Sequence, residues 1–149
     1  MPAVRFFVDT NVLLYAHDRS GAEKGRFAAA WVNALVDRQI ACINLQVLNE
    51  LTYVLLRKKW FDSAATVFKV ADDFAVLGAS AVTLAETNRA RILHQKVQYS
   101  WWDCLLLASA LELGCKFFLS EDLQDGQAIE GLTIIDPFAH SPDLIPILR

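Results

Sequence analysis

Val4-Arg5-Phe6-Phe7-Val8-Asp9-Thr10-Asn11 is a short apolar run closed by an acid, with helical spacing starting directly behind it. Apolar residues at consecutive rather than alternate positions, β-branched and aromatic among them, mark a strand buried on both faces. A carboxylate at the end of such a strand needs a reason, because an ionised acid taken out of water without a partner is very costly. Three more acids, Glu50, Asp103 and Asp122, also sit beside apolar segments. Either each has a private structural partner or all four share a cation.

Working outward, Val12 to His17 has the spacing of a short helix. Ala22 to Asp37 has that of a longer one, with Phe27, Trp31, Ala34 and Leu35 on one stripe. Ile40 to Ile43 is expected as a second strand. Asn44 can cap a helix running to about Lys59, with Leu48, Leu51 and Leu55 buried, and Asp62 can cap another ending near Leu77, before Gly78. The pattern then predicts a strand over Ala81 to Leu84 and a helix from Glu86 to Val97. A further helix is expected from Trp101 to Leu113, opened by Ser100 and stopped by Gly114. Strands are expected over Lys116 to Leu119 and Leu132 to Ile135. Strands alternating with helices indicate an α/β fold, with a mostly parallel central sheet and helices on both faces. Ligands of such sheets bind beyond the carboxyl ends of the strands.

The chain of 149 residues fits one domain. Residues 1–136 are expected to form it. Residues 137–149 make an irregular tail, with Pro137, Pro142 and Pro146, packed on or extending from the same unit. Hydrophobic residues make up 54%, with four Trp and nine Phe, enough that part of the surface is expected to be covered by another chain. A formal charge of −3 argues against a generally basic nucleic-acid-coating protein. It does not exclude a nuclease, since clustered acids that hold divalent metals lower the count. Cys42, Cys104 and Cys115 lack CxxC spacing and read as buried thiols of a reducing compartment. Arg5 and Asp9 come too early for a signal peptide, and Asp103 and Glu112 interrupt the longest later apolar stretch. The expectation is a cytoplasmic protein with no membrane segment.

Asp9 and Asp122 both fall at carboxyl ends of strands, where the sheet rule places a site. Glu50 lies on the border of the apolar stripe of its helix, with Gln46, Tyr53 and Arg57 on that side, and an Arg57 ion pair on a solvated face is the alternative. Asp103 follows Ser100 by three residues, so it suits a capping box as well as a site; the two roles are compatible. Hard cations such as Mg²⁺ and Mn²⁺ prefer oxygen ligands, and one or two ions held by such acids activate water and neutralise a phosphodiester. His17, His94 and His140 are scattered and form no metal-binding pair.

Phe7-Val8-Asp9-Thr10-Asn11-Val12-Leu13, Asn49-Glu50-Leu51, Trp102-Asp103-Cys104-Leu105-Leu106 and Leu119-Ser120-Glu121-Asp122-Leu123 resemble, in order and spacing, the motifs of the PIN-domain family. Within it they resemble the VapC-type ribonuclease toxins of toxin–antitoxin pairs. The resemblance implies a Mg²⁺- or Mn²⁺-dependent endoribonuclease, with Asp9, Glu50, Asp103 and Asp122 as metal ligands. Asn11 and Ser120 would be polar supports and Asp125 a further nearby acid, also readable as a turn acid before Gly126. A homodimer, an RNA substrate and a small antitoxin partner whose tail covers the site are likewise implied. Arg57-Lys58-Lys59 with Trp60, and Arg19, Lys24 and Arg26, are candidate RNA contacts; a cationic last helical turn explains the first run equally.

Two other classes compete. A receiver-like phospho-acceptor domain also places acids at strand ends, but it needs an acid pair after its first strand, where this chain has Asp9-Thr10-Asn11. An Asp-x-Asp phosphatase fails at Asn11 for the same reason. A PIN-fold RNA-binding or processing protein that is not a toxin is the remaining alternative.

Overall fold

The apolar run at the start pairs on both sides. In the computed structural model, which describes residues 4–18, 20 and 22–148, strand β1 (Phe6–Val8) is parallel to β2 (Ala41–Cys42) on one side and β3 (Phe117–Leu119) on the other. Parallel to β3 runs β5 (Leu132–Ile135), and β4 (Ala128–Ile129) closes the edge antiparallel to it, giving the order β2-β1-β3-β5-β4. All of β1 and β3 is buried, and Phe6 and Phe117 stack across the ladder at 4.8 Å. The mostly parallel α/β sheet expected from the sequence is present.

Chain direction explains the layering. Helices α1 (Thr10–Ala16) and α2 (Glu23–Asp37) connect β1 to β2 on one side. Helices α3 (Leu45–Lys58), α4 (Ala64–Ala75), α5 (Leu84–Lys96) and α6 (Trp101–Glu112) return past β1 to β3 on the other. Right-handed crossovers running in opposite directions put their helices on opposite faces. Helix α1 packs on α2 and α3, α3 on α4, and α5 on α6.

Local chemistry sets the helix starts. The buried Asn44 side chain accepts from Val47 N–H at 3.0 Å and donates to Ser109 Oγ at 2.8 Å, so one residue caps α3 and ties it to α6. Ser63, rather than Asp62, caps α4, accepting from Thr66 N–H at 3.2 Å. Residues 81–84 are not a strand: Thr83 accepts from Glu86 N–H at 3.2 Å and starts a helix one residue on, and Leu84 is 72% exposed with no sheet face to fill. The α2 core face is Ala28, Trp31, Val32 and Leu35, while Phe27 is 40% exposed, outside the stripe expected for it.

Hairpin β4–β5 was not expected. It turns on Glu130 and Gly131, both at positive φ (51° and 90°), the conformation of a two-residue turn that a Gly in second place favours. Another glycine, Gly78, is fixed by space: a Cβ there would lie 2.2 Å from Ile43 O.

The tail carries a short 3-10 helix (Pro142–Ile147) with Ile145 buried. Trp31 Nε1 donates to His140 O at 2.9 Å, and Phe138 meets Tyr15 edge-on at 5.3 Å. All three cysteines are buried and free, and among the described residues no helix is long and apolar enough to cross a membrane.

Candidate active site

The β1–β3 register places the first acid. Val8 pairs with Leu119, and the ladder runs one bond further, Asp9 N–H donating to Leu119 O at 3.0 Å; Ser120 N–H likewise donates to Ile135 O at 2.9 Å. Asp9 and Ser120 therefore stand side by side on the carboxyl edge of the sheet. Ser120 Oγ donates to Asp9 Oδ2 and Thr10 N–H to Asp9 Oδ1, each at 2.7 Å, so Asp9 also caps α1.

Asp9 is only 5% exposed. Burial pushes its carboxyl up to about 7; the Ser120 hydroxyl opposes this, the charges of Asp103 and Asp122 add to it, and the Thr10 N–H opposes it again. Two bonds that favour the anion do not offset the loss of water and the neighbouring negative charge. A buried carboxylate surrounded by further carboxylates favours a cation.

The other three acids come from separate elements. Glu50, on α3, is half-buried: Thr10 Oγ1 donates to its Oε2 at 2.7 Å and Gln46 Nε2 to its Oε1 at 3.0 Å. No bond joins Glu50 to Arg57, whose guanidinium instead lies over the Tyr53 ring at 5.5 Å. Asp103 lies in the first turn of α6 and next to the other acids. Its N–H donates to the capping Ser100 Oγ at 3.1 Å, and burial raises its carboxyl against the Ser100 bond, with Asp122 and Glu50 raising it further. Asp122 is exposed and accepts from Asn11 Nδ2 at 2.5 Å, while its N–H donates to Ser120 Oγ at 3.2 Å. The four expected acids thus form one electrostatically coupled set, with Asn11 and Ser120 among them.

Asp125 stands apart from that set. Its Oδ1 accepts from Asp136 N–H at 2.9 Å and its Oδ2 pairs with His140 at 2.8 Å, so it fastens the tail to the end of β5. Burial would raise its carboxyl; the Asp136 N–H and His140 outweigh that and hold it below the usual range. Both carboxylate oxygens are thus engaged by Asp136 and His140, neither of them in a turn at Asp125-Gly126.

Thr10 and Gln46 were not singled out from the sequence. Each holds one oxygen of Glu50. Thr10 lies inside the Asp9-Thr10-Asn11 motif, and Gln46 precedes Glu50 by four residues, the spacing at which helical side chains meet. The bonds to Glu50 Oε1 and Trp102 O (3.3 Å), both acceptors, fix the Gln46 amide orientation.

Two depressions flank the acids. A groove of about 790 Å³ contains Glu50, Gln46, Asn49, Tyr53 and Trp102; a smaller cavity of about 330 Å³ contains Asn11, Tyr15, Asp18, Val54, Lys58 and Trp60. The α3 cations separate: Arg57 lies on Tyr53, Lys58 faces Trp60 at 5.7 Å, and Lys59, in the left-handed conformation, lines a third cavity beside α4. Lys24 is paired with Glu121 at 2.7 Å, and Arg26 is exposed. Arg19 lies outside the described residues.

All-oxygen donors suit a hard divalent cation. Among the described residues no three His, Cys, Asp or Glu side chains are placed to hold a metal ion as they stand. The donor chemistry and the raised proton affinity of Asp9 fit such an ion.

The architecture has solved counterparts. Mycobacterium tuberculosis VapC20, a sarcin-ricin loop cleaving toxin, superposes with a TM-score of 0.55 at 19% identity over 76% of this chain and 86% of that one. A toxin–antitoxin complex from Klebsiella pneumoniae gives a TM-score of 0.62 at 19% identity, covering 88% and 96%. VapBC2 from Rickettsia felis, bound to a DNA fragment from its promoter, gives 0.62 at 14%, covering 88% and 97%. No curated protein sequence matches the chain. The PIN domain family model matches residues 6–124, spanning β1, the acid set and the turn after β3, and the chain belongs to the PIN domain family.

Proposed function

We propose that this protein is a divalent-metal-dependent endoribonuclease acting as the toxin of a toxin–antitoxin pair. The observation that carries the reading is the coupling of Asp9, Glu50, Asp103 and Asp122, drawn from four elements to the carboxyl edge of the sheet, with Asp9 held protonatable up to about 7. The resemblance to VapC-type toxins supports the biological role, and the solved counterparts include toxin–antitoxin assemblies.

In this reading the four carboxylates hold one or two Mg²⁺ or Mn²⁺ ions. Bound there, such an ion activates water and neutralises the phosphodiester and leaving oxygen. The chain's own work is orientation: Thr10 and Gln46 hold the two oxygens of Glu50, Ser120 and the Thr10 N–H hold those of Asp9, and Asn11 holds Asp122. Outer partners of this kind set ligand geometry and affinity. Asp125 serves the tail, and residues 137–149 belong with the unit of residues 1–136, supported by the buried Ile145 and the Trp31 bond. A homodimer and a small antitoxin covering the site complete the proposal, and expression in the cytoplasm follows from it.

The test is cleavage of a long RNA by the purified chain with Mg²⁺ or Mn²⁺, with EDTA, and with Asp9→Asn. Cleavage that needs the metal and is lost in a folded Asp9→Asn protein is expected. Full activity of that variant refutes the reading. Growth arrest on expression, absent for Asp9→Asn, tests the toxin role separately.

A further inference from the structure

We propose that the 330 Å³ cavity between α1 and α3 holds the RNA nucleotide next to the cleaved bond, its phosphate paired with Lys58 and its base stacked on Trp60. The inference rests on the ribonuclease reading and adds to it a defined subsite.

Continuity with the acids is the first support. Asn11 lines the cavity and its Nδ2 donates to Asp122 Oδ2, so one side chain is shared between the cavity wall and the carboxylate set. Through Asn11 the cavity adjoins the acids, where the nucleotide next to a phosphodiester bound at them would lie. Its volume lies at the lower end of small-ligand sites, about 300 to 1,000 Å³, which suits one nucleotide unit.

Charge is the second. The polyanionic substrate approaches a set of carboxylates, so a cation beside them has most to contribute. Lys24 is already bound by Glu121 at 2.7 Å. Among the described residues Lys58 has no carboxylate within ion-pair distance, and its ammonium lies 5.7 Å from the centre of the Trp60 ring. An exposed cation–π contact is weaker than a charge-assisted hydrogen bond to phosphate. An arriving phosphate therefore draws the ammonium off the indole and uncovers its face at the moment a base is delivered to it. Base–aromatic stacking tolerates any base and suits a single strand.

The run Arg57-Lys58-Lys59 thus does not act as one patch. Arg57 rests on Tyr53 and Lys59 lines the cavity beside α4, so of the three Lys58 alone faces the α1–α3 cavity. Asp18 shares the cavity and would repel a phosphate there, which gives the proposal a variant with an effect of opposite sign.

The experiment uses the full chain carrying Asp9→Asn, so that RNA is bound and not cut, and a fluorescein-labelled unstructured RNA of about 12 nucleotides, read by anisotropy over a KCl series. Lys58→Ala is expected to weaken binding and reduce the log–log salt slope by about 0.7, while Lys58→Arg keeps the slope. Trp60→Ala is expected to weaken binding about 5- to 150-fold and Trp60→Phe to restore most of it. Asp18→Asn is expected to tighten binding. Lys69→Ala, on α4 and paired with Asp73, controls for loss of a positive charge elsewhere. Trp60 is half-buried and its variants are checked by thermal melting; Lys58 is exposed, so its variants carry the test if Trp60→Ala does not fold.

A Lys58→Ala slope and affinity equal to those of Lys69→Ala overturn the proposal. So does a Lys58 effect on binding of a polyglutamate peptide with none on RNA, which makes the cavity a protein site. Normal metal-dependent cleavage with silent Lys58 and Trp60 variants sinks this inference alone. RNA binding that depends on Lys58 and Trp60, in a native chain that never cleaves, supports nucleotide binding in the cavity but sinks the nuclease reading and, with it, the placement next to a cleaved bond.

Discussion

Replacing Asp9 by Asn should make the metal-free protein more stable while abolishing its activity, opposite to what a structural role for Asp9 predicts. Asp9 is the most buried of the four acids, and its carboxyl is raised from 3.8 to about 7 by burial, with Asp103 and Asp122 contributing. A group whose proton is held more tightly in the folded than in the unfolded chain lowers stability as pH rises between those two values. The full ionisation cost is about 4 kcal/mol. Asp103 is raised too and acts in the same direction, whereas the lowered Asp125 and Glu121 lose their contributions only in acid, below this window. An amide at position 9 accepts from Thr10 N–H as before and donates to Ser120 Oγ, so it forfeits about 1 kcal/mol of hydrogen bonding and avoids the charge. The expected gain at about pH 8 in EDTA is about 2 to 3 kcal/mol, or about 5 to 10 °C in Tm for a domain of this size. Near pH 5 the native carboxyl is largely protonated and only about 1.6 kcal/mol of that cost remains, so the difference should shrink to under about 1 kcal/mol. Mg²⁺ or Mn²⁺ should raise the Tm of the native protein and not of the variant, since a ligand that binds only the folded state stabilises by mass action. Urea or thermal melts at the two pH values, with and without the ion, decide it. An Asp9→Asn chain no more stable than the native one at the higher pH refutes the electrostatic account of this site.

Three further substitutions probe the same framework. Thr10→Val keeps the shape of the residue and removes the 2.7 Å bond to Glu50; Mn²⁺ affinity by calorimetry should fall about 10-fold with little change in Tm, and unchanged affinity would show that Glu50 needs no such support. Asn44→Ala removes both the α3 cap and the buried bond to Ser109, and urea unfolding should show a loss of about 2 kcal/mol. Gly78→Ala drives a Cβ to 2.2 Å from Ile43 O at a φ of 148°, and a large fall in Tm or in soluble yield is expected, whereas near-native stability would mean the α4–α5 connection can shift freely.

The parts legible in the sequence were those written in short-range pattern. Phe6 to Val8 and Phe117 to Leu119 are apolar at every position because the parallel sheet buries both faces, and Ser100, Asn44 and Gly114 mark helix ends through local hydrogen bonding and backbone freedom. Residues 81–84 misled because a short apolar stretch has no period long enough to separate a strand from the first turn of a helix; the Thr83 cap decided it. Hairpin β4–β5 was missed because Ala128–Ile129 is two residues long, and its turn residues Glu130-Gly131 fall outside the commonest Asn-Gly and Asp-Gly signals.

The acids divide along the same line. Asp9 directly follows β1 and Asp122 comes three residues after the end of β3, so the sheet rule indicates where they stand. Glu50 could not be placed by local pattern: a lone Glu on the border of a helical stripe looks the same whether it meets Arg57 in solvent or Thr10 in the site, and only the packing of α3 on α1 chooses. Asp125 shows the converse. It shares its type and neighbourhood with Asp122, three residues away, yet Asp122 is held by Asn11 of α1 at the site, whereas Asp125 turns to Asp136 N–H and His140 in the tail. What separates the two is the direction of the chain after β3, a property of the connection to β4 and β5 and of no single residue. A sequence can therefore show that carboxylates gather at a sheet edge, while the partner of each oxygen is decided by which neighbouring donors the fold brings to it.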